Sequence, residues 1–424
     1  MKLDSYWLDT APACHAVSEG PAEGAVDVAV IGGGFTGLSA ALALAKRGAA
    51  VAVLEAGRIG GGASGRNGGQ CNTGVAPDYV ALHAQLGAQR ARGCYEAYAA
   101  AVSTVERLIR EEQIDCDYLA SGKLKLASKP HHLAHLEKTA ELIRREVDAD
   151  VELIGGERIR SEVGSDNFYG GLLQKRGGQM HMGKFAVGLA SAAARSGARL
   201  FDHAEVTRIE KEGGAYRIVS ARGELRASQV LIATGPSRHG PFGWYRRRMA
   251  PVGSFIVVTE PLPAAELAQL LPNRRSYVTS RLMHNYFRVT PDSRLLFGGR
   301  ARFTASEQPS DAKSGRILQA NLAQMFPSLA NARIDYCWGG LVDLTADRLP
   351  RAGQHDGIYF SMGYSGHGTQ MSTHMGQVMA DVMGGDAAAN PWRDFAWPAI
   401  PGHTGKPWFL PLVGAYYQIK DVFY

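Results

Sequence analysis

The first clear pattern in the chain is an unbroken apolar run, Val28-Ala29-Val30-Ile31, of the kind a strand covered on both faces carries. Gly32-Gly33-Gly34-Phe35-Thr36-Gly37 interrupts it, and residues 38–47 then hold Ala and Leu at helical density until Gly48 stops them. A second apolar run, Val51-Ala52-Val53-Leu54, ends on Glu55. Strand, glycine turn, helix and strand with an acid at its end make a βαβ unit. Residues 28–45 carry no charge, but four glycines cut the stretch into these three pieces, so it reads as part of a soluble fold and not as a membrane span.

Further along, the patterning predicts helices over 79–113 and 130–147, with a strand at 123–127 between them. A helix over 184–196 is stopped by Gly197, and strands follow at 206–211, 215–220 and 223–227. Residues 230–233 form a buried strand running into Thr234-Gly235-Pro236. From 251 to 299 the period turns to two, with strands at 254–259, 276–280, 286–290 and 295–298, and a helix is expected over 311–325. A last strand at 358–361 leads into Gly363-Tyr364-Ser365-Gly366-His367-Gly368-Thr369 and a helix to about residue 383. No internal repeat is present. The pieces with nucleotide-binding character come from both ends and the middle. The expected fold is therefore α/β: a discontinuous Rossmann-like domain (1–82, 164–245, 338–388), an inserted β-rich α+β domain (83–163, 246–337) and a tail (389–424).

Composition narrows the class. Hydrophobic residues at 45% and charged residues at 20% describe a globular chain of 424 residues, long enough for two domains. The 51 glycines follow no period and sit in short clusters beside apolar runs, where backbone approaches a ligand or another backbone closely. Net charge is +6, and the basic runs Arg246-Arg247-Arg248 and Arg274-Arg275 lack interleaved aromatics, so no nucleic-acid partner is expected. Five cysteines at wide spacing suggest neither a disulfide framework nor a zinc site, and no secretory signal pattern opens the chain; the cytoplasm is the expected compartment. His131, His132 and His135 lack a carboxylate or thiol companion in sequence, so no metal is expected there. The uncharged, aromatic tail 407–418 is too short to span a bilayer; it is expected chiefly to cover a core, with an oligomer contact or peripheral membrane contact as the lesser alternatives.

Gly32-x-Gly34-x-x-Gly37 after a strand, with Glu55 closing the next, is a dinucleotide fingerprint. The first glycine permits the tight turn, the second lets backbone approach a pyrophosphate and the third lets helix pack on strand. The helix N-terminus, beginning with Phe35 and Thr36, offers the positive end of a dipole. Glu55 is expected to accept hydrogen bonds from ribose hydroxyls, with Ala56 and Arg58 beside it on the adenosine side. Asp347 and Arg348 read as a loop ion pair or a turn, and Tyr286 and Arg288 alternate on one strand and so share a face.

With the A-T-G segment Ala233-Thr234-Gly235 and the loop Ser64-Gly65-Arg66-Asn67-Gly68-Gly69-Gln70, these motifs resemble the D-amino-acid-oxidase and sarcosine-oxidase family of FAD-dependent oxidoreductases. Trp338-Gly339-Gly340-Leu341, Thr345-Ala346-Asp347-Arg348-Leu349-Pro350 and the 363–368 segment are similar to its γ-glutamylputrescine oxidoreductase-like members. The resemblance implies FAD, with Gly32, Gly34 and Gly37 at the pyrophosphate and Val206 meeting the adenine through its backbone. It also implies Thr234 and Gly235 near the cofactor, residues 64–70 along the ribityl and flavin ring, and Gly363, Tyr364, Gly366, His367, Gly368 and Thr369 at the pyrimidine edge. Sarcosine oxidases tether flavin through a cysteine; the matching position here is Gly340, and Cys337 is three residues out of register, so noncovalent FAD is expected.

The implied reaction takes hydride from the carbon beside a neutral amine, gives an imine that hydrolyses, and passes electrons to O2 or another acceptor. The amine would be a polyamine derivative or another primary or secondary amine. The alternatives are glycine, sarcosine or a D-amino acid, or a flavin-binding electron-transfer subunit with no substrate of its own. His367 is the one acid–base candidate, although a structural place at a helix start suits it better. Tyr286, Arg288 and Tyr364 are the candidate substrate wall, with Arg288 offered to a carboxylate.

Overall fold

The computed structural model describes residues 1–235, 240–299, 308–405 and 407–423, with the backbone alone at 308, 309, 418, 422 and 423; Pro236 of the predicted Thr234-Gly235-Pro236 segment lies outside the described residues. The βαβ unit forms as expected: strand Gly24–Ile31, helix Phe35–Lys46 and strand Val51–Leu54, with the two strands parallel and Val28 opposite Val51. Alternate residues of these strands enter different cores. Val28, Val30, Val51 and Val53 pack beneath the helices, while Ala29, Ile31, Ala52 and Leu54 pack on the opposite face. That two-sided burial is why both strands read as continuous apolar runs.

Gly24–Ile31 lies at the centre of an eight-stranded sheet. On one side come Val51–Leu54 and Arg199–Phe201; on the other come Gly223–Ile232, Ile358–Met362 and Arg351–His355, with Val206–Glu212 and Ala215–Ser220 as an attached meander. Helix Gly368–Met383 packs against Phe35–Lys46 so closely that a Cβ at Gly376 would stand 2.5 Å from the Thr36 carbonyl oxygen.

The second eight-stranded sheet runs Ile334–Leu344, Ala250–Pro261, Arg294–Gly299, Asn285–Val289, Ser276–Thr279, Lys123–Leu126, Gly171–Gln174, Glu152–Ile154. Its neighbours are antiparallel except for the parallel pair Ser276–Thr279 and Lys123–Leu126. One face packs under helix Gln308–Met325 through Leu124, Phe255, Val257, Phe287, Leu318 and Leu322. The other face is turned toward the first sheet's loops.

Several elements depart from the sequence pattern. Residues 79–113 form two helices, Tyr79–Leu86 and Ala88–Glu111, because Gly87 adopts φ +79° and turns the chain. The separate strands expected at 223–227 and 230–233 are one strand, Gly223–Ile232; parallel pairing to Gly24–Ile31 carries it through the polar Ser228-Gln229. Ile334–Leu344 is a strand although Gly339-Gly340 resembles a loop. There the glycines let the strand pass the loop at Arg66, whose Cβ would lie 3.3 Å from a Cβ at Gly340.

The tail does not chiefly cover a core. It forms helix Leu410–Phe423, whose Leu410, Val413 and Tyr417 face a cleft, while Trp408, Leu412, Tyr416 and Ile419 remain exposed. Among the described residues, no helix is long and apolar enough to cross a membrane.

Candidate active site

A single cleft of about 1150 Å³ separates the two sheets and runs from Glu55 and Val206 at one end to Lys123, Lys125 and Tyr417 at the other. The turn after the first strand lies on its floor. Gly32 has φ +111°, and a Cβ there would stand 2.7 Å from the Ala233 carbonyl oxygen. A Cβ at Gly37 would lie 1.9 Å from the Gly32 oxygen, and one at Gly34 2.9 Å from Ser64 Oγ. Each contact is to backbone or to a committed hydroxyl, so these glycines are required sterically.

Phe35 N–H donates to Ser64 Oγ at 3.0 Å, which leaves the rest of the helix N-terminus facing the cleft through Gly34 and Thr36. Glu55 accepts from Gly33 N–H at 2.7 Å through one oxygen and from Gly57 N–H at 2.9 Å through the other. The acid therefore braces the glycine turn while still facing the cleft. Ala56, Val206, Thr234 and Gly235 line the same end. Arg58 does not; its carbonyl accepts from Gly61 N–H at 2.8 Å and shapes the following turn. A glycine cradle with no room for Cβ atoms, a helix start and an acid at the far strand together fit a dinucleotide of the FAD type.

The loop after this strand is held from beneath. Ser5 Oγ donates to the Gly65 carbonyl at 2.7 Å, Trp7 Nε1 to the Asn67 carbonyl at 2.7 Å and Trp338 Nε1 to the Arg66 carbonyl at 2.9 Å. Arg66 Nη1 reaches the Gly339 carbonyl at 3.3 Å, which ties the loop to the second sheet. Ser64, Arg66, Asn67, Gly68 and Gln70 line the cleft, whereas Gly65 is buried behind it and Gly69 (φ +73°) turns the chain.

The alternation of Tyr286 and Arg288 does put both on one face, but their surroundings differ. Tyr286 lines the cleft, its ring over Gly68 and its hydroxyl 3.2 Å from Ser254 Oγ. Arg288 does not reach the cleft, so the expectation that it meets a substrate carboxylate is corrected. Its Nη1 donates to the Gly69 carbonyl and to Gln179 Oε1, both at 3.2 Å, and its Nη2 to the Met180 carbonyl at 3.0 Å. Trp7 lies beneath the guanidinium at 4.9 Å, and burial lowers its pKa to about 9. It is a brace for the loop.

On the opposite wall, helix Gly368–Met383 starts at the cleft with Gly366, His367, Gly368 and Thr369 along its mouth, while Gly363 (φ +80°) makes the preceding turn. His367 is the N-cap residue, and its ring packs edge-on against Tyr98 at 5.7 Å. Tyr364 borders the cleft, but its hydroxyl is shared with Thr36 Oγ1 at 2.8 Å and Ser361 Oγ at 2.9 Å, which ties helix Phe35–Lys46 to strand Ile358–Met362. Asp347 pairs with Arg351 at 2.6 Å and not with its neighbour Arg348, which instead turns at φ +63° and faces the cleft. His135 bonds Asp78 at 2.9 Å and His132 bonds Ser280 at 2.5 Å.

Three groups of cleft residues escaped the sequence reading. Lys123 and Lys125 sit in a Lys-Leu-Lys-Leu strand, whose alternation already places both on one face. Asp343, in the strand with hidden glycines, accepts from Gly363 N–H at 2.7 Å, and burial pushes its carboxyl up to about 6. Leu410, Val413 and Tyr417 come from the tail, where a spacing of three and four marks one helix face.

Residues 27–382 match the family of FAD-dependent oxidoreductases known as DAO. γ-Glutamylputrescine oxidoreductase of Escherichia coli is 35% identical over 93% of this chain and 92% of its own. A probable oxidoreductase, OrdL, of Rhizobium meliloti is 32% identical over 95% and 94%. Among solved structures, glycine oxidase of Geobacillus kaustophilus superposes with a TM-score of 0.69 at 23% identity, covering 85% of this chain and 95% of that one. L-Amino acid deaminase of Proteus myxofaciens gives 0.71 at 18% identity, covering 88% and 94%. A cleft built to hold a dinucleotide, a family match spanning most of the chain and relatives aligned almost end to end lead to one assignment: this protein is an FAD-dependent oxidoreductase of the DAO family.

Proposed function

We propose that the protein oxidises the carbon–nitrogen bond of a primary or secondary amine, with a γ-glutamylated polyamine as the leading substrate. The observation that carries the reading is the continuity of the cleft: one passage joins the dinucleotide turn at Gly32 to a chamber walled by Tyr286, Val413 and Tyr417. The Escherichia coli relative is named for γ-glutamylputrescine, which supports an extended amine over glycine or sarcosine. Bound FAD would supply the two-electron oxidant for the carbon–nitrogen bond, and hydrolysis of the resulting imine would give a carbonyl compound and ammonia or a smaller amine.

The protein's part is positioning and electrostatics. On this reading Gly32, Gly34, Phe35, Thr36 and Gly37 hold the pyrophosphate, while Glu55, Ala56 and Val206 hold the adenosine end. The 64–70 loop and Gly340 flank the flavin ring. The N-terminus of Gly368–Met383, which has no side-chain cap, would face the pyrimidine edge, where its dipole favours negative charge. Tyr286 walls the substrate side. The first sheet holds the cofactor and the second roofs the substrate.

Noncovalent binding is supported by Cys337, whose Sγ is buried in the second sheet's core and donates to the Asp311 carbonyl at 3.3 Å, away from the cleft. O2 or another acceptor completes turnover, and the cytoplasm is the proposed compartment.

The test is turnover of γ-glutamylputrescine, putrescine, sarcosine and glycine by the FAD-loaded protein with an artificial electron acceptor, with the aldehyde and ammonia measured. Carbonyl formation with acceptor reduction is expected from the extended amine. Acceptor reduction by none of them would favour the electron-transfer-subunit reading.

A further inference from the structure

The cleft carries an excess of positive charge at the end remote from Glu55. Leu124 and Leu126 of strand Lys123–Leu126 are fully buried in the second core, so Lys123 and Lys125 emerge together on the cleft face. Arg348 reaches the same end from the turn after Ile334–Leu344. Both lysines and Arg348 are open to solvent only in part, and Arg348 Nε is buried with no hydrogen-bond partner among the described residues.

The carboxylates that would offset these cations are committed elsewhere. Asp347 binds Arg351 at 2.6 Å. Asp78 lies near enough to Lys125 to offset part of its charge, but it is shared with His135 at 2.9 Å and caps helix Tyr79–Leu86 by accepting from Ala81 N–H at 3.1 Å. Asp343 accepts from Gly363 N–H. Lys123 Nζ donates to the Thr73 carbonyl at 2.8 Å, a neutral partner, and Lys125 has no ion pair within 4.0 Å among the described residues. Confinement presses all three pKa values downward, Lys123 to about 7, first through burial. Three cations facing one shared carboxylate, Asp78, are unfavourable in a confined site, and a bound anion removes that cost.

We propose that Lys125 and Arg348, backed by Lys123, form an anion subsite that takes a carboxylate carried by the substrate at a distance from the amine. The inference rests on the amine-oxidase reading above and extends it: the substrate is an amine at one end and a carboxylate at the other. The C-terminal helix completes the subsite. Val413 and Tyr417 offer an apolar wall between the two ends. Asp421 holds the helix down, its Oδ1 accepting from the N–H groups of Leu282 at 2.7 Å and Met283 at 3.3 Å. Lys129 Nζ adds a bond to the Asp421 carbonyl at 3.3 Å.

The experiment uses FAD-loaded wild type, K125M and R348M with two readouts. The first is the ratio of kcat/KM for γ-glutamylputrescine to that for its decarboxylated counterpart, 4-aminobutanoylputrescine; taken within each variant, the ratio is insensitive to partial misfolding. The second is glutarate titration of the oxidised flavin spectrum, which needs no turnover. Wild type is expected to prefer the carboxylate-bearing amine and to bind glutarate, with both the preference and the glutarate affinity falling at least about tenfold in each variant. An unchanged ratio and unchanged glutarate binding in both variants would overturn the subsite. If neither amine is turned over, glutarate decides alone. Binding that depends on Lys125 and Arg348 upholds the subsite while the amine reading falls; absence of such binding overturns the subsite.

Discussion

Substituting Glu55 by Gln separates two roles that the site allows for this acid. The carboxylate accepts one main-chain N–H through each oxygen, from Gly33 at 2.7 Å and from Gly57 at 2.9 Å. In Gln one oxygen becomes an NH2 group, so one of these N–H donors faces another donor in either amide orientation. A hydrogen bond to a charged group contributes about 1.5–3 kcal/mol, and because Glu55 faces the cleft, where water partly compensates, the lower half of that range applies. At ~2.1 cal/mol/K per residue, a 424-residue chain unfolds with an entropy of ~0.9 kcal/mol/K, so the flavin-free protein should melt about 2 °C lower. FAD binding should weaken by at least about tenfold, since the distorted turn is the one that receives the pyrophosphate. Calorimetry of the apoprotein and quenching of FAD fluorescence measure the two effects. An apoprotein that melts unchanged while FAD affinity falls would refute the bracing role and leave Glu55 as a cofactor contact alone.

Three further outcomes follow from the geometry. Gly37→Ala sets a Cβ 1.9 Å from the Gly32 oxygen, a backbone clash that no rotamer relieves; a cost of about 3 kcal/mol or more is expected, read as loss of bound flavin from the purified protein. Arg288→Met leaves the Met180 carbonyl and Gln179 Oε1 without their donor, while the Gly69 carbonyl keeps the Met180 N–H at 3.0 Å; it should lower the urea midpoint by the equivalent of about 1–3 kcal/mol, with the 64–70 loop exchanging amide hydrogens faster. Asp343, whose folded carboxyl is raised to about 6 by burial, holds its proton more tightly folded than unfolded. The contribution of Asp343 to stability should therefore be largest below about pH 4 and decline by up to about 3 kcal/mol as pH rises past about 6. The wild-type urea midpoint should fall relative to that of Asp343→Asn across that range, and a constant difference would refute the assignment.

The parts of the protein legible in the sequence are those whose signals are local. Gly32, Gly34, Gly37 and Glu55 sit in one βαβ unit, and each is needed for a reason visible within thirty residues: a positive φ, a backbone approach, an acid at a strand end. What stayed hidden depends on contacts far apart in the chain. The strand Ile334–Leu344 is formed by pairing with Ala250–Pro261, and its two glycines concealed it. Arg288 alternates with Tyr286 as a strand requires, yet whether an inward arginine meets ligand or backbone is decided by the Gly69 and Met180 carbonyls and by Trp7, from elements that sequence order does not bring near. The tail's apolar residues were visible; that one helical face would close over the cleft, fixed by Asp421 to residues 282 and 283, was not.

The central claim is that this cleft holds FAD and brings an amine to it. Its most direct test is the absorption spectrum of the purified, FAD-loaded protein under anaerobic conditions, before and after adding each amine in turn. A flavin spectrum that bleaches with an extended, carboxylate-bearing amine such as γ-glutamylputrescine is expected. A protein that takes up no flavin when FAD is supplied, or a flavin that no amine bleaches, would contradict it.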